Sequence, residues 1–320
     1  MPFEIIAPLD QCRPFSLSVD ATATHLSLED YLAQRLERTR AEVRHWIRQG
    51  YVRHEGQGLR FRQPPPYPAT LTIQPPVLDP PTAMPEDLPL VRIYEDDYLV
   101  VVHKPSGMAT HPSSGWWRGS CVSALLHHIR AWPGIKGVAG PGIVHRLDKN
   151  TSGLLLFAKT HLAQQGLLQA LKRREIEREY VAATTRWSEQ QPAQGHWDWP
   201  LGRDPQNNLK ECVRNDGKWA VTHYRQVADT EHLSLVALKL ETGRTHQIRV
   251  HLQQAGYPVL NDGLYGKPSA HWPYPMALHA YHLKFQHPIS GVPLAFFAPP
   301  DWLKIFSLTS LPAYQTIKTL

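Results

Sequence analysis

Asp148 is the residue of this chain whose neighbours best suit it to chemistry. It lies in residues 142–159, GIVHRLDKNTSGLLLFAK, where His145, Arg146 and Lys149 surround it with positive charge. Nearby positive charge favours an ionised carboxylate over the protonated acid. An ionised carboxylate can serve as a nucleophile or as an electrostatic stabiliser, and it cannot donate a proton.

Two familiar catalytic motifs are excluded by the spacing in this stretch. A protein-kinase loop has His-Arg-Asp in succession, whereas Leu147 separates Arg146 from Asp148 here, and no Asp-Phe-Gly motif occurs. A serine hydrolase needs Gly-x-Ser-x-Gly around its nucleophile, but Ser152 lies in Asn-Thr-Ser-Gly. The stretch therefore predicts a carboxylate site on a turn beside a buried strand.

A second stretch, ETGRTHQIRVHLQQAGYPVLNDGLYG at residues 241–266, predicts a helix that carries cations. Thr245 can cap this helix, and Ile248 begins its apolar stripe. Arg249 lies one position off the stripe, where it can face a cleft. Arginine can donate two parallel hydrogen bonds to a carboxylate, which orients the acid and keeps it ionised. The alternative is that Arg244 and Arg249 bind only phosphate or a surface acid.

Composition and charge narrow the function classes. The formal charge of +6 and the pI near 9.2 suit a phosphate-rich partner. The eighteen histidines are scattered, and neither His-Glu-x-x-His nor a cysteine pair with metal spacing occurs, so no metal site is expected. Three widely spaced cysteines fit reduced thiols, and no secretory signal or membrane-length apolar run is visible, so we expect a cytoplasmic protein.

These motifs resemble those of the RluA-type pseudouridine synthases, which modify uridines in ribosomal and transfer RNA. HRLDKNTSGLLLFAK looks like the catalytic motif of that family, and three more segments match in the same order: LVVVHKPSGMATHP (99–112), IEREYVAAT (176–184) and ALHAYHLKFQHPISG (277–291). Together with the helix at 241–266, the resemblance covers about residues 91–297. It implies an isomerase that needs no metal and no cofactor.

The resemblance assigns roles to individual residues. Asp148 would be the catalytic residue, and Arg249 would pair with it. Tyr180 would stack on the target uracil and take part in removing the proton from C5, although a tyrosine in a strand is usually a core residue. Ile248 would lie against the uracil face. The remaining expected contacts with RNA in this part of the chain are His145, Arg146, Lys104 and Arg244.

The region before residue 90 is predicted to be a small separate module. Residues 26–76 have the pattern of two amphipathic helices followed by a strand, with eight arginines and five acids between positions 26 and 62. The pattern resembles, in part, the alpha-L RNA-binding module, with Arg44 and Arg48 as candidate RNA contacts. The alternative is an ordinary helical hairpin with a solvated charged face.

The domain plan follows from these segments. Residues 1–25 are expected to form an extension, 26–76 the module, 77–89 a proline-rich linker, and 90–320 the catalytic domain. Ten of the chain's 29 prolines fall between positions 63 and 89. Strand and helix candidates mix without βαβ regularity, which predicts an α+β fold with a largely antiparallel sheet. The resemblance makes this the pseudouridine synthase fold.

The expected function is the isomerisation of uridine to pseudouridine in structured RNA, ribosomal RNA in preference to transfer RNA. The target base would flip out of its helix. The partner is therefore RNA, and we expect a monomer. Two alternatives stay open at this point: a non-catalytic RNA-binding or ribosome assembly factor, and a hydrolytic glycosidase that releases free uracil.

Overall fold

The computed structural model of the protein describes residues 14–36, 40–74, 83, 85–112, 118–129 and 142–308. The chain divides into two compact units, Met1–Pro81 and Thr82–Leu320. Each unit has its own cluster of buried apolar side chains.

The first unit contains two short helices and a four-stranded antiparallel sheet. Its elements in chain order are β1 (Phe15–Val19), a 3₁₀ helix (Ala21–His25), α1 (Leu28–Arg35), α2 (Arg40–Arg48), β2 (Val52–His54), β3 (Gln57–Gly58) and β4 (Ala69–Ile73). The strand order is β1-β4-β2-β3. Buried residues of both helices and of β1, β2 and β4 form one core, so the helices pack against the sheet.

Strand β1 lies in the stretch that the sequence predicted to be an extension. It pairs along its whole length with β4, from Phe15 opposite Ile73 to Val19 opposite Ala69. Leu17 and Val19 are buried in the core of the unit. Residues 15–25 therefore belong to the same unit as the two helices. The sequence did not show this, because the partner strand lies about fifty residues further along the chain.

In its described part, the second unit contains the strands β5 to β15, three α-helices and a 3₁₀ helix. Its strands are β5 (Val91–Glu95), β6 (Leu99–Lys104), β7 (Ser152–Ala158), β8 (Glu177–Thr185), β9 (Gln194–Asp198), β10 (Leu201–Arg203), β11 (Glu211–Val213), β12 (Val221–Asp229), β13 (Leu233–Leu240), β14 (Leu278–Gln286) and β15 (Pro293–Phe297). Its helices are α3 (Cys121–His128), α4 (His161–Lys172), α5 (Gln247–Gln254) and a 3₁₀ helix (Asp301–Phe306).

Nine of these strands form one mixed sheet. The order is β5-β6-β7-β14-β8-β13-β12-β9, and β15 pairs with residues 282–286 of β14. The pair β7–β14 is parallel, and every other pair recorded in this sheet is antiparallel. Strands β10 and β11 form a separate hairpin. The predicted α+β fold with a largely antiparallel sheet is confirmed.

Strand β7 runs through the middle of the core and is covered on both faces. Leu155 and Phe157 lie in the same cluster as the buried residues of α3. Leu154 and Leu156 lie in a second cluster with Leu167 of α4. A strand that is buried on both faces has a continuous apolar run in place of alternation, which explains the sequence LLLFA that follows the Asp148 turn.

The start of one helix differs from the sequence expectation. Thr245 was expected to cap α5, whereas His246 occupies the N-cap in the left-handed conformation with φ 57°. Helix α3 ends at His128, and Ile129 after it takes an extended backbone conformation.

The parallel pairing of β7 with β14 depends on Gly153. Its φ of +115° is one that residues with a Cβ rarely adopt, and an added Cβ would lie 2.2 Å from the carbonyl oxygen of Ala280. We predict that Gly153→Ala lowers the free energy of unfolding by roughly 3 kcal/mol or more, since strain and collision add. Urea denaturation measures the loss.

Gly291→Ala is the matched control for this prediction. Gly291 also has a positive φ, +72°, but nothing lies within 4 Å of its Cβ position. Backbone strain alone should cost about 1 kcal/mol there. Equal losses in the two variants would contradict the importance of the close approach to β14.

Candidate active site

Asp148 lies in an irregular segment directly before β7, and a neighbouring segment fixes that backbone. The hydroxyl of Thr110 donates to the carbonyl of Leu147 at 2.8 Å and accepts from the N–H of Leu147 at 3.1 Å. The N–H of Gly107 donates to the carbonyl of Lys149 at 2.9 Å. Because both residues next to Asp148 are held, the backbone of the carboxylate has little freedom.

Lys104 holds the same backbone and does not lie on an RNA-binding surface as predicted. Together, Thr110, Gly107 and Lys104 form a clamp on the residues next to Asp148. Lys104 is fully buried, and its ammonium group donates to the carbonyls of Pro105, Met108 and Lys149 at 2.8 to 3.0 Å. Burial lowers the pKa of Lys104 to about 8, so the group still carries its proton near pH 7. All three N–H donors are used inside the protein, and none is left for phosphate.

Arg249, on α5, links Asp148 to a second acid that the sequence did not reveal. Its Nη1 donates to Oδ2 of Asp148 at 2.9 Å, while Nε and Nη2 donate to the two oxygens of Asp262 at 2.7 and 2.8 Å. The predicted pairing of Arg249 with Asp148 is therefore present in the structure. It uses one hydrogen bond, because the two-pronged contact is made with Asp262.

Asp262 is completely buried and fully hydrogen-bonded. Its Oδ1 also accepts from the N–H groups of Leu264 and Tyr265. Burial alone would raise the pKa of Asp262, but Arg249 and these N–H groups lower it below the ordinary value. Burial likewise opposes the charge on Arg249, yet Asp262 and Asp148 raise its pKa. The local sequence offered little sign of this pair, because Asn-Asp-Gly is typical of a turn.

A cavity of about 660 Å³ opens above Asp148. Tyr180 of β8 and Ile248 of α5 line it together with the Asp148–Arg249 pair, which places these four predicted residues around one space. Tyr180 is 5% exposed, and burial raises the pKa of its hydroxyl, so it remains a neutral phenol at physiological pH. The side chain of Asp148 is about 20% exposed, so the carboxylate can be reached from the cavity.

The lining of the cavity is strongly basic. The positively charged residues that line it are Arg146, Lys172, Arg174, Arg178, Arg244 and Arg249; the acids are Asp148 and Glu241. Three of these cations, Arg146, Arg244 and Arg249, were predicted from the sequence. The excess of positive charge suits a ligand that carries several phosphates.

His145 does not contact the cavity as a cation, contrary to the prediction. Its ring is buried, and its Nε2 accepts from the N–H of Leu156 at 3.3 Å. Burial and the charge of Arg178 lower the pKa of His145 to about 3. The ring is therefore neutral and attaches the start of the Asp148 segment to β7, whereas the adjacent Arg146 is exposed.

His246 is a further polar residue beside Asp148 that was not singled out. Its Nε2 lies 3.9 Å from Oδ2 of Asp148, and its Nδ1 lies 2.8 Å from the hydroxyl of Tyr265. That hydroxyl accepts the N–H of Glu211, so its own proton can go to Nδ1. Burial lowers the pKa of His246, and a neutral ring with this tautomer directs its Nε2–H towards the carboxylate.

Arg244 and the arginines of the first unit are placed as follows. Arg244 is exposed at the cavity, and its Nε donates to the carbonyl of Trp219 at 2.9 Å. In the first unit, Arg44 donates to the buried carboxylate of Glu29 at 2.6 and 3.1 Å, so much of its guanidinium is engaged within the protein. Arg48 is exposed, with its guanidinium carbon 5.2 Å from the ring centre of Phe61.

One group of described residues has the spacing of metal ligands, and it lies away from the cavity. Asp87, His127 and His128 are exposed and place one ligand atom each within 4.8 Å of one another. The Nε2 of His128 already contacts the carbonyl of Leu88 at 2.9 Å.

Among the described residues, no helix is long and apolar enough to span a membrane.

Comparison with known proteins decides the family. Residues 98–254 match the family model described as RNA pseudouridylate synthase. The chain is 44% identical over 238 residues to "Ribosomal large subunit pseudouridine synthase D" of Zymomonas mobilis, which covers 70% of this chain and 74% of that protein. The chain belongs to the RluA-type pseudouridine synthases. It is therefore an RNA-modifying isomerase.

Other relatives match a larger share of this synthase. The protein of the same name from Vibrio parahaemolyticus is 37% identical over 303 residues, 87% of this chain and 91% of that one. An uncharacterised RNA pseudouridine synthase of Bacillus subtilis is 38% identical and covers 82% of this chain and 86% of its own length. The solved structure titled human RNA Pseudouridylate Synthase Domain Containing 1 shares the fold, with a TM-score of 0.56 at 23% identity, over 69% of this chain and 87% of that one.

Asp262→Asn should destabilise the synthase at neutral pH by about 3–5 kcal/mol, because it breaks a buried ion pair and leaves Arg249 short of a partner. The folded state lowers the pKa of Asp262. Its contribution is therefore complete above the ordinary aspartate pKa, about 4, and is lost as pH falls towards the folded value. Urea unfolding from pH 6 to pH 3 should show wild type approaching the variant; a constant difference would contradict this.

Lys104→Met should lower both stability and turnover. It removes the ammonium group and leaves three carbonyls near Asp148 without their donor, at a cost of about 2 kcal/mol or more. Thermal unfolding and single-turnover rates measure the two effects. Lys267→Met, at an exposed lysine, is the control and should change neither; a Lys104 variant with wild-type turnover would show that the clamp does not position Asp148.

Proposed function

We propose that this synthase converts uridine to pseudouridine in large-subunit ribosomal RNA, with Asp148 as the catalytic carboxylate and with the target nucleotide flipped into the cavity. One observation carries the proposal. Arg249 holds the partly exposed carboxylate of Asp148 on the floor of a basic cavity, and Tyr180 and Ile248 form part of the cavity wall. A flat pyrimidine and its ribose need such a space, with an apolar and aromatic lining for the base.

The reaction requires a carboxylate that is held in a fixed orientation. The N1–C1′ bond of uridine breaks, the uracil turns, and a C5–C1′ bond forms; the proton on C5 is lost and N1 gains one. Asp148 would act on the sugar or on the base to permit cleavage. Arg249 supports this role because, of the two oxygens of Asp148, it donates to Oδ2 only. Among the described residues, no group donates to Oδ1 of Asp148, so that oxygen is free for the nucleotide.

Tyr180 is proposed to stack on the uracil and to take part in removing the C5 proton. Burial raises the pKa of its hydroxyl, so the phenol enters the reaction with its own proton in place. The ring contributes stacking, and the hydroxyl can accept a proton only as it passes its own to another acceptor. Ile248, from α5, would press on the uracil from the cavity wall.

The basic residues around the cavity are proposed to hold the RNA backbone. Arg146 is exposed directly before the catalytic loop, where its side chain can occupy the space that the flipped nucleotide leaves. Arg178 and Arg244 line the same cavity. Flipping a base costs a few kcal/mol, and contacts from these cations to phosphates offset part of that cost.

The names of the relatives support the choice of ribosomal RNA. Three relatives from different genera are named as ribosomal large subunit pseudouridine synthases. The first unit supports a structured RNA substrate, since Arg48 is exposed on its second helix. We therefore propose that this unit adds an RNA contact to that of the catalytic unit.

Asp148→Asn should abolish pseudouridine formation in an assay with large-subunit ribosomal RNA transcribed in vitro. Tyr180→Phe should bind the RNA but slow the single-turnover rate by about 10²-fold or more, the usual contribution of a residue that moves a proton. Chemical mapping of pseudouridine along the transcript, before and after incubation, measures both effects and gives the position of the modified uridine.

The matched control is Asp97→Asn, an exposed acid in the β5–β6 turn, which should leave the rate unchanged. A transcript modified equally by wild type and by Asp148→Asn would refute the role of Asp148. Modification of a transfer RNA, with no mark on the ribosomal transcript, would refute the proposed substrate but keep the reaction.

A further inference from the structure

Trp219 is a large aromatic residue at the cavity that the proposed reaction does not use. It lines the cavity but is 42% exposed, unlike the buried Trp187, Trp197 and Trp272 of the same unit. A single exposed apolar side chain is ordinary on a protein surface. What sets Trp219 apart is its place at the cavity and its contact with Arg174.

Hydrogen bonds hold the backbone that carries this indole. Lys218 forms a two-way bridge with Leu201, and Ala220, on the other side, is buried. The carbonyl of Trp219 itself accepts a hydrogen bond from Nε of Arg244 at 2.9 Å. The indole therefore leaves a well-held backbone beside the cavity.

Arg174 already forms one layer of a stack with the indole. Its guanidinium carbon lies 4.9 Å from the centre of the Trp219 ring, and its Nη1 donates to Glu241 at 3.0 Å. The contact is within the range of a cation–π interaction. Because a carboxylate holds the guanidinium, this two-layer arrangement is formed before any ligand arrives.

The conformation of Arg174 indicates that its side chain has a use. It follows the C-cap of α4 with φ 61°, a position at which glycine is the usual residue. An arginine there carries backbone strain of about 1 kcal/mol. Strained residues of this kind cluster at functional sites, and here the strained residue supports the exposed indole.

We propose that Trp219 and Arg174 form a stacking platform for an unpaired nucleobase next to the target uridine. The inference rests on the proposed function, since the platform borders the cavity that would take the uridine. Once one nucleotide is flipped, its neighbour loses a stacking partner, and an indole layered on a guanidinium can replace that partner. Stacking is sequence-tolerant because every base has a flat face, so the platform adds affinity without selecting a sequence.

Two measurements test the platform. In steady-state assays on the ribosomal transcript, Trp219→Ala should raise KM about fivefold or more, the lower limit for loss of one base stack, with a smaller change in kcat. Trp219→Phe should restore most of the affinity. In a second assay, the fluorescence of 2-aminopurine within a hexauridylate should be quenched by wild type and by Trp219→Phe, but much less by Trp219→Ala.

Arg174→Gly separates the guanidinium from the backbone. Glycine suits the positive φ, so thermal stability should be equal or higher, while KM should rise. Leu209→Ala and Arg173→Ala are the controls, because Leu209 is 66% exposed and Arg173 is also exposed, and neither lines the cavity. They should leave KM and quenching unchanged.

The outcomes distinguish this inference from the proposed function. A wild-type protein that forms no pseudouridine in the transcript would refute the function, and the quenching comparison would still decide the platform. Equal quenching by wild type and Trp219→Ala, or no quenching by wild type at saturating protein, would overturn the platform. An unchanged KM in an active Trp219→Ala variant would do the same.

Discussion

The site depends on one buried guanidinium. Arg249 gives two hydrogen bonds to Asp262 and one to Asp148, and removing its charge from water is unfavourable unless both partners are present. Asp262, which is buried and held by two backbone N–H groups, fixes the orientation of the guanidinium. Arg249 can therefore position Asp148 without binding it fully. An exclusive two-pronged pair with Asp148 would occupy both oxygens that the reaction needs.

The carboxylate of Asp148 is positioned mainly by residues outside its own segment. Residues 145–151 form no helix or strand, and their backbone is held by Thr110 and Lys104 on one side. On the other side they lead into β7, whose parallel contact with β14 requires a glycine at 153. A loop gives the carboxylate access to the cavity, and the two neighbouring segments supply the rigidity that a loop lacks.

Local patterns in the sequence predicted much of this arrangement. The continuous run 154–158 predicted a buried strand, and the spacing on α5 placed Arg249 towards a cleft, where it does meet Asp148. Lys104 was misassigned because a lysine in a Lys-Pro-Ser-Gly turn resembles a surface cation, and its burial depends on carbonyls up to 45 residues away. Asp262 was missed for a related reason. Its partner is fixed by tertiary packing, whereas its local sequence is that of a turn.

The charges around the cavity separate two tasks. Arg249, deep in the site, is neutralised by two carboxylates and so contributes orientation more than net attraction. Arg146 and Arg244 are exposed at the cavity, and Arg178 is half-buried there. Among the described residues, none of the three forms an ion pair with an acid, so they retain attraction for phosphate. Arg174 combines the two tasks. Glu241 offsets its charge, and its guanidinium lies over the ring of Trp219. An RNA would thus meet free charge first, then a stacking surface, and last the oriented carboxylate.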